Sequence, residues 1–141
     1  MLETAYEKMK RNVTPKFTQN LSELIKEITN GKYQKVSIHE EKGLIVELEN
    51  GEYIPASLLS TGTIDQLYLS LRLAMLDEIS KEKMPIILDE AFAYFDEERL
   101  KNSLSFLVEQ AKEHQIIIFT CTKREKQILE QLGISYNWVE I

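Results

Sequence analysis

The sequence predicts an α/β fold, and three observations support this prediction. From residue 58 onwards, helical patterns alternate with short apolar runs in the order helix, strand, helix, strand, helix, strand. Such alternation is typical of parallel strands flanked by helices. Residues 33–54 instead alternate with a period of two, which indicates a small antiparallel meander. Before the meander, apolar residues recur every three or four positions, which predicts an N-terminal helix.

Composition excludes several classes of protein. The 141 residues suffice for one domain with its own core. The sequence has no apolar run long enough to span a bilayer and no signal-peptide pattern, so we expect no membrane contact. A single Cys excludes an internal disulfide and favours a reducing compartment, with the cytoplasm as the expected location. The net charge of −6 is not typical of a nucleic-acid-binding domain, although residues 1–35 carry seven Lys or Arg against four Asp or Glu.

The N-terminal helical segment, residues 1–30, has one apolar stripe: Leu2, Tyr6, Met9, Val13, Phe17, Leu21, Leu24 and Ile28. Pro15 predicts a new helix start within it, because Pro is favoured at the first helical position. Gly31 predicts the stop. The stripe fits two arrangements equally well, the end of a coiled-coil arm or a helix packed on its own domain. In the meander that follows, Asn50-Gly51 is the strongest hairpin signal.

A turn of small and hydroxyl residues, Ser60-Thr61-Gly62-Thr63, opens the next helix. Thr63-x-x-Gln66 has the form of a capping box. Free backbone N–H groups and the positive end of the helix dipole make such a turn a candidate anion site. The helical spacing predicts a buried stripe made of Ile64, Leu67, Tyr68, Leu71, Met75 and Ile79.

The apolar run Ile86-Ile87-Leu88 predicts a strand buried on both faces of a parallel sheet. It ends in Asp89-Glu90, and two adjacent carboxylates at a strand end can hold a magnesium ion and polarise a water molecule. The rest of the chain predicts a helix that begins near Asp96, a buried strand at 115–120, a short helix at 123–132 and a final strand at 136–141.

In this order and spacing, the motifs resemble those of ABC-type ATPases. The stretch Leu59–Thr63 with Gln66-Leu67-Tyr68-Leu69 is similar to the signature motif and signature helix. The run 86–90 resembles a Walker B strand, and 93–96 lies where the family has its D-loop. Thr122 occupies the position of the family's switch histidine. The variant resembles the coiled-coil DNA-repair branch: SbcC, the structural-maintenance-of-chromosomes (SMC) proteins, RecN, RecF and especially YhaN-like proteins.

The resemblance implies ATP and Mg²⁺ as cofactors and assigns a role to each candidate residue. Asp89 would orient the magnesium, and Glu90 would be the catalytic residue that deprotonates the attacking water. Asp96 would connect two sites across a head–head interface. Four residues would face the γ-phosphate of a nucleotide held by the opposite subunit: Ser60, Thr61, Gly62 and Thr63. Thr122 would also face a γ-phosphate and donate a hydrogen bond to it, but a hydroxyl brings no titratable charge.

A phosphate loop of the form G-x-x-x-x-G-K-[ST] does not occur in the sequence. In the family this loop lies in an N-terminal lobe, separated by a long coiled coil. We therefore expect residues 31–141 to be the C-terminal lobe of an ATPase head, either as a fragment or as a natural half-protein. Residues 1–30 would be the end of the returning arm or a packed helix. The expected partners are an N-terminal Walker A lobe and a second head, with DNA and a nuclease as candidates.

Three other interpretations fit parts of the sequence. A degenerate head would bind a true ATPase without catalysing hydrolysis, which the Thr122 substitution favours and Asp89-Glu90 disfavours. An unrelated α/β regulatory domain would use Asp89 as a phosphoacceptor or metal site. A nucleic-acid module would use the basic N-terminal segment and bind in a salt-dependent manner. For the chain alone, the missing phosphate loop predicts negligible ATP hydrolysis.

Overall fold

The computed structural model describes residues 15–141, and the stripe positions Leu2, Tyr6, Met9 and Val13 lie outside this range. The chain divides into two compact units, one that runs to Lys81 and a second at Glu82–Ile141. The elements of the first unit are α1 (Pro15–Ile28), β1 (Tyr33–His39), β2 (Gly43–Leu48), β3 (Tyr53–Pro55), a 3-10 turn (Ala56–Leu58) and α2 (Thr61–Ile79). Those of the second are β4 (Ile86–Asp89), α3 (Glu97–Gln110), β5 (Ile116–Phe119) and α4 (Arg124–Gln131). In the described part of the chain, no helix is both long and apolar enough to cross a bilayer.

The predicted stop at Gly31 is confirmed, whereas the predicted helix start at Pro15 stays a prediction, because the described residues begin there. Helix α1 buries its apolar stripe against β1 and α2. It ends where Asn30 and Gly31 both adopt positive φ angles, 52° and 83°, and Gly tolerates this left-handed conformation best. The Ser22 hydroxyl oxygen accepts a hydrogen bond from the Val36 backbone N–H at 3.0 Å, which ties the helix to β1. Residues 15–28 therefore lie on the core of the first unit.

The antiparallel meander is also confirmed. Strands β1, β2 and β3 pair in that order, with Val36 opposite Val46 and Val46 opposite Ile54. The turn into β3 uses Asn50-Gly51, where Gly51 has a φ of 83°. The Asn50 side-chain oxygen accepts from the Glu52 N–H at 3.0 Å, which stabilises the turn.

The buried face of α2 differs from the predicted stripe. Tyr68 is 58% exposed and Ile79 is 77% exposed. Three of the buried residues, Thr63, Gln66 and Ser70, are polar. The others are Gly62, Leu67, Leu69, Leu73 and Ala74. These polar side chains are buried because they find partners. Gln66 Nε2 donates to the Ile28 carbonyl at 3.1 Å, and Ser70 Oγ donates to the Gln66 carbonyl at 2.9 Å.

In the second unit, β4 and β5 pair in parallel, with Ile86 opposite Ile116 and Asp89 opposite Phe119. The prediction that the β4 strand is buried on both faces is wrong. Ile86 and Leu88 are buried, whereas Ile87 between them is 56% exposed. Successive residues of a strand point to opposite faces, so one face of this sheet is covered and the other carries exposed apolar side chains.

The predicted final strand at 136–141 is absent. In the described second unit, β4 and β5 pair with each other and no strand pairs with residues 136–141. Val139 and Ile141 are exposed. An apolar sequence forms a strand only where a neighbour supplies backbone hydrogen-bond partners, and this segment has none.

Candidate functional site

The turn at residues 60–63 begins α2. Ser60 is the N-cap: its hydroxyl oxygen accepts from the Thr63 backbone N–H at 3.4 Å and lies 2.9 Å from the Thr63 hydroxyl. The predicted capping box at Thr63-x-x-Gln66 is therefore wrong. The cap lies three residues earlier, because Gln66 is drawn into the core by the Ile28 carbonyl.

Ser60 and Thr61 are exposed, while Gly62 and Thr63 are buried. The backbone N–H groups of Thr61 and Gly62 belong to the first helical turn, where the helix itself supplies no acceptor. They lie at the positive end of a helix of 19 residues. This end of α2 therefore has the chemistry that suits a phosphate or another anion.

In the second unit, β4 ends at Asp89, whose side chain is exposed. Glu90 follows with a φ of 47°, a left-handed conformation that costs energy for any residue other than Gly. Its backbone N–H donates to the Phe119 carbonyl at 2.9 Å, which extends the pairing between the two strands by one residue. The chain thus turns sharply at the point where the two carboxylates emerge.

The Glu90 carboxylate is held by the segment that follows β5. Its Oε1 atom accepts from the Cys121 backbone N–H at 2.5 Å. The nearby Glu90 carboxylate raises the pKa of the Cys121 thiol, through hydrogen bonding and through its negative charge. The exposed thiol is therefore kept in its protonated form, which is the less reactive one.

Thr122, the residue at the expected switch position, points its hydroxyl at a partner that the sequence analysis missed. Thr122 Oγ1 donates to Glu125 Oε2 at 2.8 Å, and Thr120 Oγ1 donates to the same oxygen at 3.1 Å. The Glu125 side chain lies in the first turn of α4, and the residue is only 6% exposed. The sequence did contain a signal for it, since Thr122-x-x-Glu125 has capping-box spacing at a helix start.

Asp96 is the N-cap of α3 and accepts from the Arg99 backbone N–H at 2.8 Å. It also forms an ion pair with the Arg99 guanidinium. The residue before it, Phe95, is buried, and its carbonyl accepts from Arg124 Nη2 at 2.5 Å. The first turn of α4 therefore contacts the segment that carries Asp96.

The predicted site residues fall into two groups. Asp89 and Glu90 are consecutive, Thr122 is next to the Cys121 N–H that holds Glu90, and Asp96 follows on the next loop; all four belong to the second unit. Ser60, Thr61, Gly62 and Thr63 belong to the first unit.

The donor set for a metal ion is small. Across residues 15–141, no cluster of three or more His, Cys, Asp or Glu side chains could hold a metal. A magnesium ion bound with a nucleotide needs only one or two carboxylates, because phosphate oxygens and waters supply the other ligands. The exposed Asp89 carboxylate, with Glu90 beside it, fits such a shared site and does not fit a site built from protein ligands alone.

Comparison with known proteins indicates the class of protein to which this chain is related. No protein-family model matches the chain. It is 32% identical over 123 residues to the uncharacterized protein YhaN of Bacillus subtilis, a match that covers 85% of the chain and 13% of YhaN. It is 30% identical over 100 residues to the DNA double-strand break repair Rad50 ATPase of Pyrococcus abyssi, which covers 70% of the chain and 11% of that protein. The chain thus spans only about an eighth of the length of these relatives.

Solved structures that share the fold include SMC head domains. The SMC head domain of Thermotoga maritima matches with a TM-score of 0.64 at 20% identity, over 86% of this chain and 43% of that one. A structure of SMC ATPases described for their ATP-driven dimerization and DNA-stimulated activation also matches with a TM-score of 0.64, at 17% identity, over 79% of this chain and 71% of that one.

The fold and the sequence matches together define the class: this chain is related to the ATPase heads of the SMC and Rad50 group, which are ABC-type. Within this class its sequence is YhaN-like. The expected family resemblance and the α/β fold class are both confirmed.

Proposed function

We propose that this chain is the C-terminal part of an ABC-type ATPase head, with the signature turn in its first unit and the Walker B carboxylates in its second. The observation that carries the proposal is the end of β4, where Asp89 is exposed and Glu90 is held in a left-handed conformation with its carboxylate anchored by the Cys121 N–H. Strained backbone conformations such as this one cluster at functional positions. The sequence match to the Rad50 ATPase supports the assignment.

Each residue has a role that suits its surroundings. Glu90 would orient and deprotonate a water molecule, and Asp89 would hold a magnesium ion, which would neutralise charge on the phosphates. Ser60, Thr61, Gly62 and Thr63 offer the positive end of α2 to the γ-phosphate of a nucleotide bound to a second head. Asp96, at the N-terminus of α3, would contact that second head.

The chain has no phosphate loop, so the phosphates need a cradle from an N-terminal Walker A lobe. The exposed apolar residues on the sheet, Ile87 and Phe119, suit a covering partner of this kind. We infer that the isolated chain is inactive and that the completed head forms a head–head dimer. A role in DNA repair follows only from the relative's name, and it is part of the proposal.

The test is reconstitution of the head. The chain alone, the phosphate-loop lobe alone and their mixture are compared for Mg²⁺-dependent ATP hydrolysis. We expect turnover only in the mixture. Glu90→Gln should reduce turnover by about 100-fold to 10,000-fold, the usual contribution of a general base, and should accumulate ATP-bound dimers measurable by light scattering. Glu98→Gln, which changes an exposed acid in the first turn of α3, is the matched control and should turn over normally. Rapid hydrolysis by the chain alone, free of contaminating ATPase, would contradict the proposal.

One observation favours a second candidate function, a head that binds nucleotide or a partner head without turnover. Thr122 replaces the expected histidine, and its hydroxyl hydrogen is already donated to Glu125. This candidate predicts that the mixture dimerises with ATP but does not hydrolyse it, and that Glu90→Gln changes nothing. The same assays therefore separate the two functions.

A further inference from the structure

The segment between β5 and α4 contains a closed set of hydrogen bonds, the threonine–glutamate network, which consists of Thr120, Thr122 and Glu125. Both threonine hydroxyls donate to Glu125 Oε2, at 3.1 Å and 2.8 Å. The Thr122 backbone N–H donates to Thr120 Oγ1 at 3.1 Å. Because each hydroxyl hydrogen is used within the network, Thr122 has no hydrogen left to donate outwards in this conformation.

The network encloses the residue that holds Glu90. Cys121 lies between the two threonines, and its backbone N–H reaches the Glu90 carboxylate. The direction of that N–H depends on the conformation of residues 120–122, which the network fixes. Burying a carboxylate lowers the stability of the fold unless the carboxylate is well hydrogen-bonded. The hydrogen bonds from both threonine hydroxyls therefore stabilise Glu125 in its buried position, and this coupling keeps the threonines in place.

We propose that Glu125 is a positioning residue for Glu90: by accepting from both threonine hydroxyls, it fixes the turn whose Cys121 N–H aims the Glu90 carboxylate. Thr122 then acts through Glu125 and does not donate to the γ-phosphate. The hydrogen-bonded arrangement stands by itself, whereas its catalytic meaning rests on the proposed function of Glu90.

The test uses the 141-residue chain and needs no nucleotide. Amide hydrogen exchange of Cys121, measured by NMR, reports the bond to Glu90. Glu125→Ala removes the acceptor, and the exchange of the Cys121 amide should accelerate by about five-fold, the equivalent of one ordinary hydrogen bond. Glu125→Gln keeps a carbonyl oxygen that can accept from both hydroxyls, and it should restore most of the protection. Glu130→Ala, an exposed acid on the same helix, should leave the exchange of this amide unchanged.

Alkylation of the thiol is the second measurement, since Cys121 is the chain's single cysteine and is exposed. It should be faster in Thr122→Val, which keeps the charges of both Glu90 and Glu125, because the turn that holds Cys121 beside Glu90 is loosened. In Glu125→Ala, the lost charge of Glu125 lowers the pKa of Cys121 as well. If Glu125→Ala does not fold, Thr122→Val provides the test. It removes one hydroxyl at nearly constant shape, and it should accelerate both the exchange of the Cys121 amide and the alkylation of the thiol.

Normal protection of Cys121 in folded Glu125→Ala would overturn the proposal, as would equal loss of protection in Glu125→Gln and Glu125→Ala. A reconstituted head without ATPase activity would instead count against the proposed function, and it would leave the two measurements on the chain as they are. The two failures are therefore distinguishable.

Discussion

Gln66 gives the sharpest test of how α2 is held. Its side chain is 2% exposed, and its Nε2 atom donates to the Ile28 carbonyl at 3.1 Å. Ile28 is the last residue of α1, where carbonyls have no partner within the helix. Gln66→Leu keeps the size of the side chain and removes the donor, so a buried carbonyl loses its partner.

The expected cost is about 1–3 kcal/mol, the penalty for leaving a buried polar group unsatisfied. For a chain of this length, that corresponds to a fall in Tm of about 3–10 °C. Differential scanning calorimetry and urea unfolding give the two quantities. Gln19→Leu is the matched control, because Gln19 is an exposed glutamine on α1 in the same unit, and it should change the stability by less than about 0.5 kcal/mol.

A Gln66→Leu protein as stable as its parent would show that this hydrogen bond does not hold α1 to α2. The burial of Gln66 would then have a cause other than its bond to the Ile28 carbonyl.

Three more predictions concern single residues. Glu90→Gln removes the charge that raises the pKa of Cys121, so the pKa should fall, the thiolate fraction at pH 8 should rise, and iodoacetamide should react faster. Ser60→Ala removes the N-cap of α2 and should cost about 0.5–2 kcal/mol in urea unfolding. Leu104→Ala opens a cavity at a residue of α3 that is almost fully buried, and it should cost about 2–5 kcal/mol, which calorimetry can measure.

A specific result would contradict each of these three predictions. Slower or unchanged alkylation in Glu90→Gln would mean that Glu90 does not act on Cys121, with Glu98→Gln as the charge-matched control. If neither Ser60→Ala nor Ser60→Thr lowers the free energy of unfolding, the Ser60 cap contributes no stability to α2. A loss below about 1 kcal/mol for Leu104→Ala would mean that its surroundings collapse to fill the cavity.

The sequence by itself determined the local features. Gly31 follows the end of α1, and Asn50-Gly51 forms the turn into β3, because their backbone preferences act within a few residues. The family resemblance could also be recognised, since the motifs around Ser60 and Asp89 are short and contiguous in sequence.

Tertiary structure decided which faces are buried and what the site residues contact. Gln66 is buried and Tyr68 exposed because a carbonyl 38 positions earlier accepts from the glutamine. The apolar residues at 136–141 form no strand, because a strand needs a neighbour that sequence alone does not supply. Glu90 meets the Cys121 N–H 31 positions away only because β4 and β5 pair in parallel and end together. Each of these outcomes depends on a contact between segments distant in sequence, and local pattern carries no information about such contacts.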